Sequence, residues 1–292
     1  MTLHSNWLVP LVSQYFDLVV SEGDPTLTSS DCWYTNYWDA TSKNLAQSGK
    51  KIVIDQLWEP ASQSSNPYPC HVLQNWNWLW YQESLWYRYL DYHLYVPHRD
   101  WQYRALLPMR RVKKSRDYIV TYLGQRIDEF LWSYQDKGRH LPNGGDPNDW
   151  GSQRLFQPDW YNQCAMSLVA ETAADSDICQ TPLVSEKTFK PLAFYHPFVV
   201  CGDSNTLNYL QSLGFETFSN LFDESYDTIT NWQHRCGAAM NQCLSAQFDG
   251  DCYDSVTKAK LLHNHNHFFD QSLVERKITT EILEPLLHYA QT

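Results

Sequence analysis

The feature that most constrains the fold is a strand–helix–strand–helix pattern within residues 166–218. An apolar run, Met166 to Ala170, ends at Glu171, and Ser185 opens an amphipathic segment after a polar loop. A second apolar run, Phe198 to Cys201, precedes another short amphipathic segment. Strands that alternate with helices form open α/β sheets, which bind ligands beyond the carboxyl ends of their strands. The pattern therefore predicts an α/β fold with a ligand site at these strand ends.

Further apolar runs extend this alternation along the chain. Lys51 to Asp55 reads KIVID, a buried type of strand, and Leu94 to Val96 is a second predicted strand. Tyr103 to Met109 and Phe130 to Tyr134 are predicted strands on either side of a helix. Ser115 has the side chain of a helix N-cap, so we expect that helix to begin there.

The restart of the pattern near residue 100 predicts two Rossmann-like domains that face a cleft, followed by a helical tail. Residues 1–100 would form an aromatic-rich α/β domain, residues 101–270 a second α/β domain, and residues 271–292 a C-terminal helix. The chain has 13 Trp, 19 Tyr and 12 Phe. Many of them precede residue 105, where they would form a core or line a groove.

Composition narrows the class of protein. A formal charge of −11 disfavours non-specific binding to polyanions. The 8 cysteines include no CxxC pair, so we expect free thiols. No secretory signal pattern and no apolar run of about 18 residues is present, which predicts a cytoplasmic protein without a membrane span.

A basic loop is the first chemical signal. Arg110, Arg111, Lys113, Lys114 and Arg116 lie between a predicted strand and a predicted helix start. Backbone N–H groups at a helix start and guanidinium groups suit a phosphate. The alternative is a solvated loop, or one that pairs with acids elsewhere.

A second signal is the tripeptide Ser185-Glu186-Lys187 at the next helix start. A lysine in the first turn opposes the helix dipole, and a phosphate beside Lys187 would resolve that conflict. Glu186 can accept hydrogen bonds from two sugar hydroxyls. Glu171 ends a buried strand, so it must pair with a base or bind a ligand. The alternative is an ordinary cap followed by a surface lysine.

These segments resemble the donor-binding half of fucosyltransferase-like glycosyltransferases, which have the two-domain GT-B architecture. The resemblance rests on LVAET, SEKTFKPLAFYHPFVVCGDSNTLNYLQSLGFETF, DESYD and LLPMRRVKKSRDYIVTYL, and it covers about residues 103–270. LLHNHNHFF is similar to the closing segment of related phage and bacterial proteins. The chain differs from the family motif F-E-N, because Ala170 and Thr172 stand in place of its phenylalanine and asparagine on either side of Glu171.

The resemblance implies that residues 1–100 are the acceptor-side domain and residues 101–270 the nucleotide-sugar-binding domain. It also implies roles for individual residues. Glu186 would bind ribose hydroxyls, Lys187 and Arg110 or Arg111 the diphosphate, and Glu171 would face the donor sugar or order the loop. The full donor-binding set is Glu171, Ser185, Glu186, Lys187, Arg110, Arg111, Lys113 and Arg116. The co-substrate would be a nucleoside diphosphate sugar, with no other cofactor and no required divalent metal.

The catalytic base would be a carboxylate of the amino-terminal domain. In an inverting transfer such a group deprotonates the acceptor hydroxyl while the diphosphate leaves. Asp55 and Glu59, at and after the end of KIVID, are the best-placed acids, and Asp39 is the next candidate.

Three histidines, His263, His265 and His267, raise the question of a zinc site. In a helix only His263 and His267 share a face, and no nearby Cys or Glu completes a ligand set. We therefore predict no metal there, and expect capping or acceptor contacts.

The sequence thus predicts a glycosyltransferase acting on an acceptor hydroxyl, and three alternatives remain. The acceptor could be a saccharide or a hydroxymethylated pyrimidine in DNA, as in phage-type DNA-modifying enzymes, where aromatic side chains would stack a flipped base. A non-catalytic nucleotide- or carbohydrate-binding protein is the second alternative. An interaction scaffold is the third.

Overall fold

The computed structural model describes residues 32–35, 51–55, 71–73, 77–144, 156–172, 174–175, 182–248, 250, 252–285 and 288. The chain divides into two compact units, one from 1–82 with 271–292 and the other from 83–270. Each unit contains one parallel sheet. The parallel α/β class is confirmed, whereas the two Rossmann-like domains and their bounds stay predictions.

The strands and helices of the described residues are numbered in chain order. The strands are β1 (Cys32–Thr35), β2 (Lys51–Asp55), β3 (His71–Leu73), β4 (Ala105–Met109), β5 (Phe130–Tyr134), β6 (Ser167–Ala170) and β7 (Phe198–Cys201). The helices are α1 (Trp78–Tyr89), α2 (Lys114–Leu123), α3 (Pro158–Asn162), α4 (Glu186–Ala193), α5 (Thr206–Ser212), α6 (Trp232–Ser245), α7 (Ser255–Phe268) and α8 (Gln271–Ile278). Short 3-10 turns cover Tyr92–Leu94, Gly124–Glu129, Gln135–Lys137 and Glu224–Thr228, and a π-helical turn covers Thr279–Leu283.

The first unit contains a three-stranded sheet in the order β1-β2-β3. The predicted strand KIVID is its central strand, with Trp33 opposite Ile52 and Val53 opposite His71. Its apolar residues favour a strand that has a neighbour on both sides.

The second unit contains a four-stranded sheet in the order β5-β4-β6-β7. All residues of β6 and β7 are buried, and the two strands pair from Ser167 opposite Phe198 to Ala170 opposite Cys201. From β4 the chain proceeds to one edge of the sheet, and from β6 it proceeds to the other. The order therefore reverses between β4 and β6, which is the position where open α/β sheets form a ligand crevice.

Helices and aromatic rings complete the core of this unit. Helix α6 packs on β7 and against α2, while α7 packs on α4. The rings of Phe156 and Phe194 stack with centroids 3.5 Å apart, and Tyr92, Tyr95 and Tyr161 surround them. Phe156, Tyr161 and Phe194 therefore belong to the buried core, and Tyr92 and Tyr95 are half-buried against it.

Two local predictions are wrong. Leu94–Val96 is not a strand, because a 3-10 turn ends at Leu94 and the side chains of Leu94 and Val96 are 68% and 80% exposed. Ser115 is not the N-cap of its helix, because Lys113 holds that position and Ser115 lies inside the first turn. The helix does end at Gly124, whose φ of +51° suits a residue without a Cβ atom.

Among the helices of the described residues, none combines the length and the apolar composition needed to cross a bilayer.

Candidate functional site

The candidate site lies where the strand order of the second sheet reverses. The loop after β4 begins at Arg110, and Glu171 directly follows β6. These two strands are neighbours, so both predicted donor-binding segments begin at the same edge of the sheet. Sequence order alone did not establish that adjacency.

The loop after β4 is held from the end of β5. The N–H of Asp136 donates to the carbonyl of Arg110 over 3.0 Å, and the N–H of Val112 donates to Asp136 Oδ2 over 3.1 Å. The N–H of Lys113 approaches the Tyr134 hydroxyl at 3.4 Å. The basic loop therefore has a defined backbone, and the Arg111 side chain is exposed at its surface.

Helix α2 begins without a side-chain cap. Lys113 offers its first turn no side-chain hydrogen bond, and the first N–H groups of a helix have no partner within it. Ser115 is fully buried in this turn, and its Oγ has no hydrogen-bond partner among the residues that the structure describes. A buried hydroxyl without a partner is unusual, so this helix start is less well satisfied than that of an ordinary capped helix.

Arg116 connects the two loops of the site. It is 2% exposed, and its guanidinium donates to the carbonyls of Arg111 over 2.9 Å and Ala170 over 3.5 Å. Burial lowers the pKa of Arg116, and attraction to Glu171 and Glu186 opposes that change. Within the described part of the chain, Arg116 Nε has no hydrogen-bond partner. Arg116 thus carries buried positive charge at the end of β6.

Glu171 orders the start of α4. Its Oε1 accepts from the Ser185 N–H at 3.0 Å and from Thr188 Oγ1 at 2.6 Å. Its Oε2 accepts from Ser185 Oγ at 2.5 Å and from the Thr172 N–H at 3.3 Å. A carboxylate offers about four acceptor positions, and these bonds use them. The geometry supports loop ordering, the second of the two roles predicted for Glu171, and leaves no acceptor for a donor sugar.

Ser185 has the predicted capping position at the start of α4. It is 1% exposed, and its Oγ accepts from the Lys187 N–H at 3.4 Å. The same Oγ accepts from Lys187 Nζ at 3.2 Å. Ser185 is therefore a buried structural residue that reaches a ligand only through its neighbours.

Glu186 and Lys187 are the partly exposed groups of this helix start. Lys187 Nζ donates to Glu186 Oε1 over 2.7 Å. Burial would raise the pKa of Glu186, but attraction to Lys187 and Lys190 outweighs it and lowers that pKa from 4.5 to about 2. The conflict between the lysine and the helix dipole is thus resolved by a protein carboxylate in this structure.

Sequence reasoning missed two residues that shape the site. The Thr188 hydroxyl donates one of the four hydrogen bonds to the Glu171 carboxylate, and the Asp136 carboxylate accepts a hydrogen bond from the backbone of the basic loop. Asp136 lies two residues after the end of β5, a position that could have identified it as an acid at a strand end. Thr188 gives no such signal, because a threonine inside a helix is usually packed or solvated.

The predicted catalytic bases fall outside the side chains that the structure describes. Asp55 is the last residue of β2, and only its backbone is described. Asp39 and Glu59 lie outside the described residues. All three stay predictions.

The histidines of α7 bind backbone carbonyls. His263 Nε2 lies 2.9 Å from the Gly214 carbonyl and His267 Nε2 lies 2.8 Å from the Leu213 carbonyl, at the end of α5. His265 Nδ1 lies 2.7 Å from the Ala193 carbonyl at the end of α4. Within the described part of the chain, no group of three or more His, Cys, Asp or Glu side chains is arranged to hold a metal ion.

A cavity of about 460 Å³ lies along the edge strand β5 and contains none of the predicted donor-binding residues. It is lined by Tyr103, Phe130, Leu131, Trp132, Gly138, Arg139, His140, Leu141 and Pro142.

Comparisons with known proteins identify no family for this chain. A scan against protein-family models, a search of curated proteins and a search of solved structures each found no match. The site must therefore be interpreted from its own chemistry.

Proposed function

We propose that this chain is a glycosyltransferase that moves a sugar from a nucleoside diphosphate sugar to an acceptor hydroxyl. The observation that carries the proposal is the pairing of two helix starts where the strand order reverses. One start is uncapped, and its buried atoms Ser115 Oγ and Arg116 Nε have no hydrogen-bond partner among the described residues. The other presents the partly exposed Glu186 and Lys187. Anion-binding and hydroxyl-binding groups thus lie at one edge of the sheet.

The start of α2 would bind the diphosphate. Its first-turn N–H groups carry the positive end of the helix dipole. Arg111 is an exposed guanidinium on the preceding loop, and the buried Arg116 adds positive charge beneath it. Positive charge preorganised around a leaving diphosphate stabilises the charge that develops during transfer.

Glu186 would accept hydrogen bonds from the hydroxyls of the nucleotide ribose, and Lys187 would contact a phosphate oxygen. An acid that binds ribose hydroxyls near a phosphate-binding helix start is a recurrent arrangement in doubly wound folds. The low pKa of Glu186 keeps it ionised, and therefore an acceptor, at neutral pH.

We further propose the GT-B architecture, with an inverting mechanism and a catalytic base among Asp55, Glu59 and Asp39. A carboxylate that removes the acceptor proton is the general base that such a transfer requires. The resemblance to fucosyltransferase-like enzymes supports this part of the proposal, and the parallel sheets agree with it.

Calorimetric titration with nucleoside diphosphates tests donor binding. We expect the wild type to bind at least one of the uridine, guanosine, adenosine and cytidine diphosphates. Lys187→Met should weaken that binding by about tenfold or more, because a charge-assisted hydrogen bond is lost. Lys258→Met, which removes an exposed lysine from α7, is the matched control. Absence of nucleotide binding by the folded wild type would overturn the proposal.

Product detection separates the acceptor classes. The wild type would be incubated with nucleotide sugars and with either oligosaccharides or duplex DNA carrying hydroxymethylated pyrimidines. A mass increase of one sugar unit on an oligosaccharide supports the main proposal, and one on DNA supports the DNA-modifying enzyme. Nucleotide binding with no product from any acceptor supports the non-catalytic binding protein.

A further inference from the structure

Strand β5 is one edge of the four-stranded sheet, and the chain turns back beside its carboxyl end. The Tyr134 N–H donates to the Arg139 carbonyl over 2.9 Å, and the Arg139 N–H donates to the Tyr134 carbonyl over 3.3 Å. An antiparallel ladder would next join Trp132 to Leu141. Among the described residues those bonds are not formed. The returning segment therefore leaves the strand after one pair of hydrogen bonds.

This separation leaves backbone groups of β5 facing outward. Both backbone groups of Tyr134 face the outer edge, and alternate residues of a strand face the same side, so Phe130 and Trp132 face it as well. The Phe130 N–H is used within the preceding 3-10 turn, where it donates to the Ile127 carbonyl. The Phe130 carbonyl and the Trp132 N–H have no backbone partner in the described part of the chain. One residue of a parallel strand, placed opposite Leu131, would bond to both of them.

The cavity of about 460 Å³ lies beside these two backbone groups. Residues 130–132 line it from the strand and residues 138–142 from the returning segment, and it is open to solvent. Arg139 and His140 are exposed, and none of the lining residues is acidic. In a chain whose formal charge is −11, this edge of the sheet is locally basic and suits an acidic occupant.

Arg139 is held in position to bind a carboxylate. Its guanidinium lies over the Trp132 ring, 4.1 Å from the ring centroid, and its Nε approaches the Trp132 carbonyl at 3.4 Å. No described residue binds its two Nη groups. A guanidinium that is already oriented by stacking can bind a carboxylate through these groups with little further loss of side-chain freedom.

We propose that the outer edge of β5 binds an extended acidic segment of a partner protein as an added parallel strand. The backbone of that segment would bond to the Phe130 carbonyl and the Trp132 N–H, and one of its carboxylate side chains would bind Arg139. Addition of a strand to a sheet edge is a recurrent mode of peptide recognition, in which backbone bonds give affinity and side-chain contacts give specificity. The surface shares no residue with the proposed nucleotide site.

Fluorescence anisotropy with labelled peptides tests the proposal on the wild type. The probes are five-residue peptides of valine and threonine, which favour strands, each with one aspartate at a different position. We expect at least one probe to bind with a dissociation constant below about 1 mM. Its asparagine counterpart should bind about tenfold more weakly, because a charge-assisted hydrogen bond is lost. No binding by any probe, or equal binding of the aspartate and asparagine forms, would overturn the proposal.

Backbone N-methylation of the probe separates strand pairing from attraction between charges. Methylation of the N–H that donates to the Phe130 carbonyl should weaken binding by about fivefold. The effect should alternate along the peptide, because alternate N–H groups of a strand point away from its neighbour. A probe that binds equally well whichever N–H is methylated would show that no strand is added.

A matched pair of variants tests the role of Arg139. Arg139→Met keeps a long side chain over the Trp132 ring but removes the charge, so it should weaken binding of the aspartate probe by about tenfold and abolish its advantage over the asparagine form. Arg276→Met, which removes an exposed arginine from α8, should leave binding unchanged. An advantage for aspartate that persists in Arg139→Met would contradict the proposed contact.

Hydrogen exchange of the wild type locates the bound probe without any substitution. The Trp132 N–H should exchange more slowly when the probe is bound. Protection confined to another part of the chain would overturn the proposal, and so would a dimer of this chain whose residues 130–132 stay protected from the probe. Because no step of this test uses a nucleotide, failure of strand addition leaves the proposed sugar transfer unaffected, and the reverse also holds.

Discussion

Two helices begin at the carboxyl edge of the four-stranded sheet, and their starts differ in how polar groups are satisfied. At α4 the carboxylate of Glu171 binds Ser185 and Thr188, and Ser185 caps the first turn. At α2 the side chain of the N-cap residue Lys113 contributes no hydrogen bond, and the buried Ser115 Oγ has no partner among the described residues. Described side chains therefore satisfy the start of α4 but not that of α2.

Because the two helix starts differ in this way, we propose different roles for them in ligand binding. The sequence predicted a phosphate at both starts, because each has a serine and basic residues after a strand. At α4 the carboxylate of Glu171 and the Ser185 cap already bind polar groups of the first turn, where Glu186 and Lys187 are partly exposed. We therefore propose that the phosphate binds at the uncapped start of α2.

The largest expected effect is the loss of stability when Glu171 is removed. Glu171→Ala leaves Ser185 and Thr188 with buried donors that lack this acceptor, and it removes the carboxylate whose charge most strongly favours the charged form of Arg116. We expect the free energy of unfolding to fall by about 3–5 kcal/mol, measured by urea denaturation.

Glu129→Ala is the control for that measurement. Glu129 forms ion pairs with Arg104 and Arg126, but its side chain is 37% exposed. Such a pair contributes about 0–1 kcal/mol. If the two variants lose similar stability, Glu171 does not complete the start of α4 as described.

A paired serine experiment compares the two helix starts directly. Ser185→Ala removes an N-cap and should destabilise the protein by about 1–2 kcal/mol. Ser115→Ala removes a buried hydroxyl that has no partner, so stability should be unchanged or rise by as much as about 1 kcal/mol.

Nucleotide binding should distinguish the two helix starts as well. Arg111→Met removes the exposed guanidinium before α2 and should weaken binding of a nucleoside diphosphate by about tenfold, since a charge-assisted hydrogen bond to phosphate is lost. Ser185→Ala, which removes a buried cap, should leave that binding unchanged. Comparable destabilisation by both serine substitutions, with no change in binding on Arg111→Met, would mean that the two starts do not differ in function.

The smallest expected effect is a pH dependence from Glu186. Because its pKa in the folded protein is about 2 and its ordinary value is 4.5, the ionised form stabilises the fold above about pH 4.5. That contribution is lost as the pH falls from 4.5 toward 2.

Urea denaturation of the wild type and of Glu186→Gln checks this pH dependence. The stability difference between them should be below about 1 kcal/mol at neutral pH, since the ion pair is partly exposed. It should shrink further as the solution is acidified to about pH 3. A difference that grows on acidification would show that the carboxylate is not held in its ionised form.

Much of the second unit follows from local sequence patterns. Phe130 to Tyr134 is a strand with the predicted bounds, and the predicted strand Tyr103 to Met109 is found as Ala105–Met109. Short apolar runs bounded by polar residues must be buried, and parallel strands accommodate them. Leu94 to Val96 is apolar too, but it is exposed and followed by Pro97, which cannot donate a ladder hydrogen bond.

The histidine segment shows that a local sequence pattern does not identify the hydrogen-bond partners of its side chains. His263, His265 and His267 have a spacing that invites a metal interpretation, yet the carbonyls they bind are contributed by the ends of α4 and α5. Those acceptors are more than forty residues away along the chain. No inspection of α7 alone could have identified them.

The sequence by itself determined which segments form strands and helices around the site, and which charged residues occupy the strand ends. Only the tertiary structure decided their partners, because hydrogen bonding depends on a few ångströms between loops that are distant in sequence. Glu171 was recognisable as a buried acid in need of partners. The tertiary structure shows that its partners are Ser185, Thr188 and Thr172. It also shows that, among the described residues, buried groups without a partner lie at Ser115 and Arg116, on the helix that follows β4.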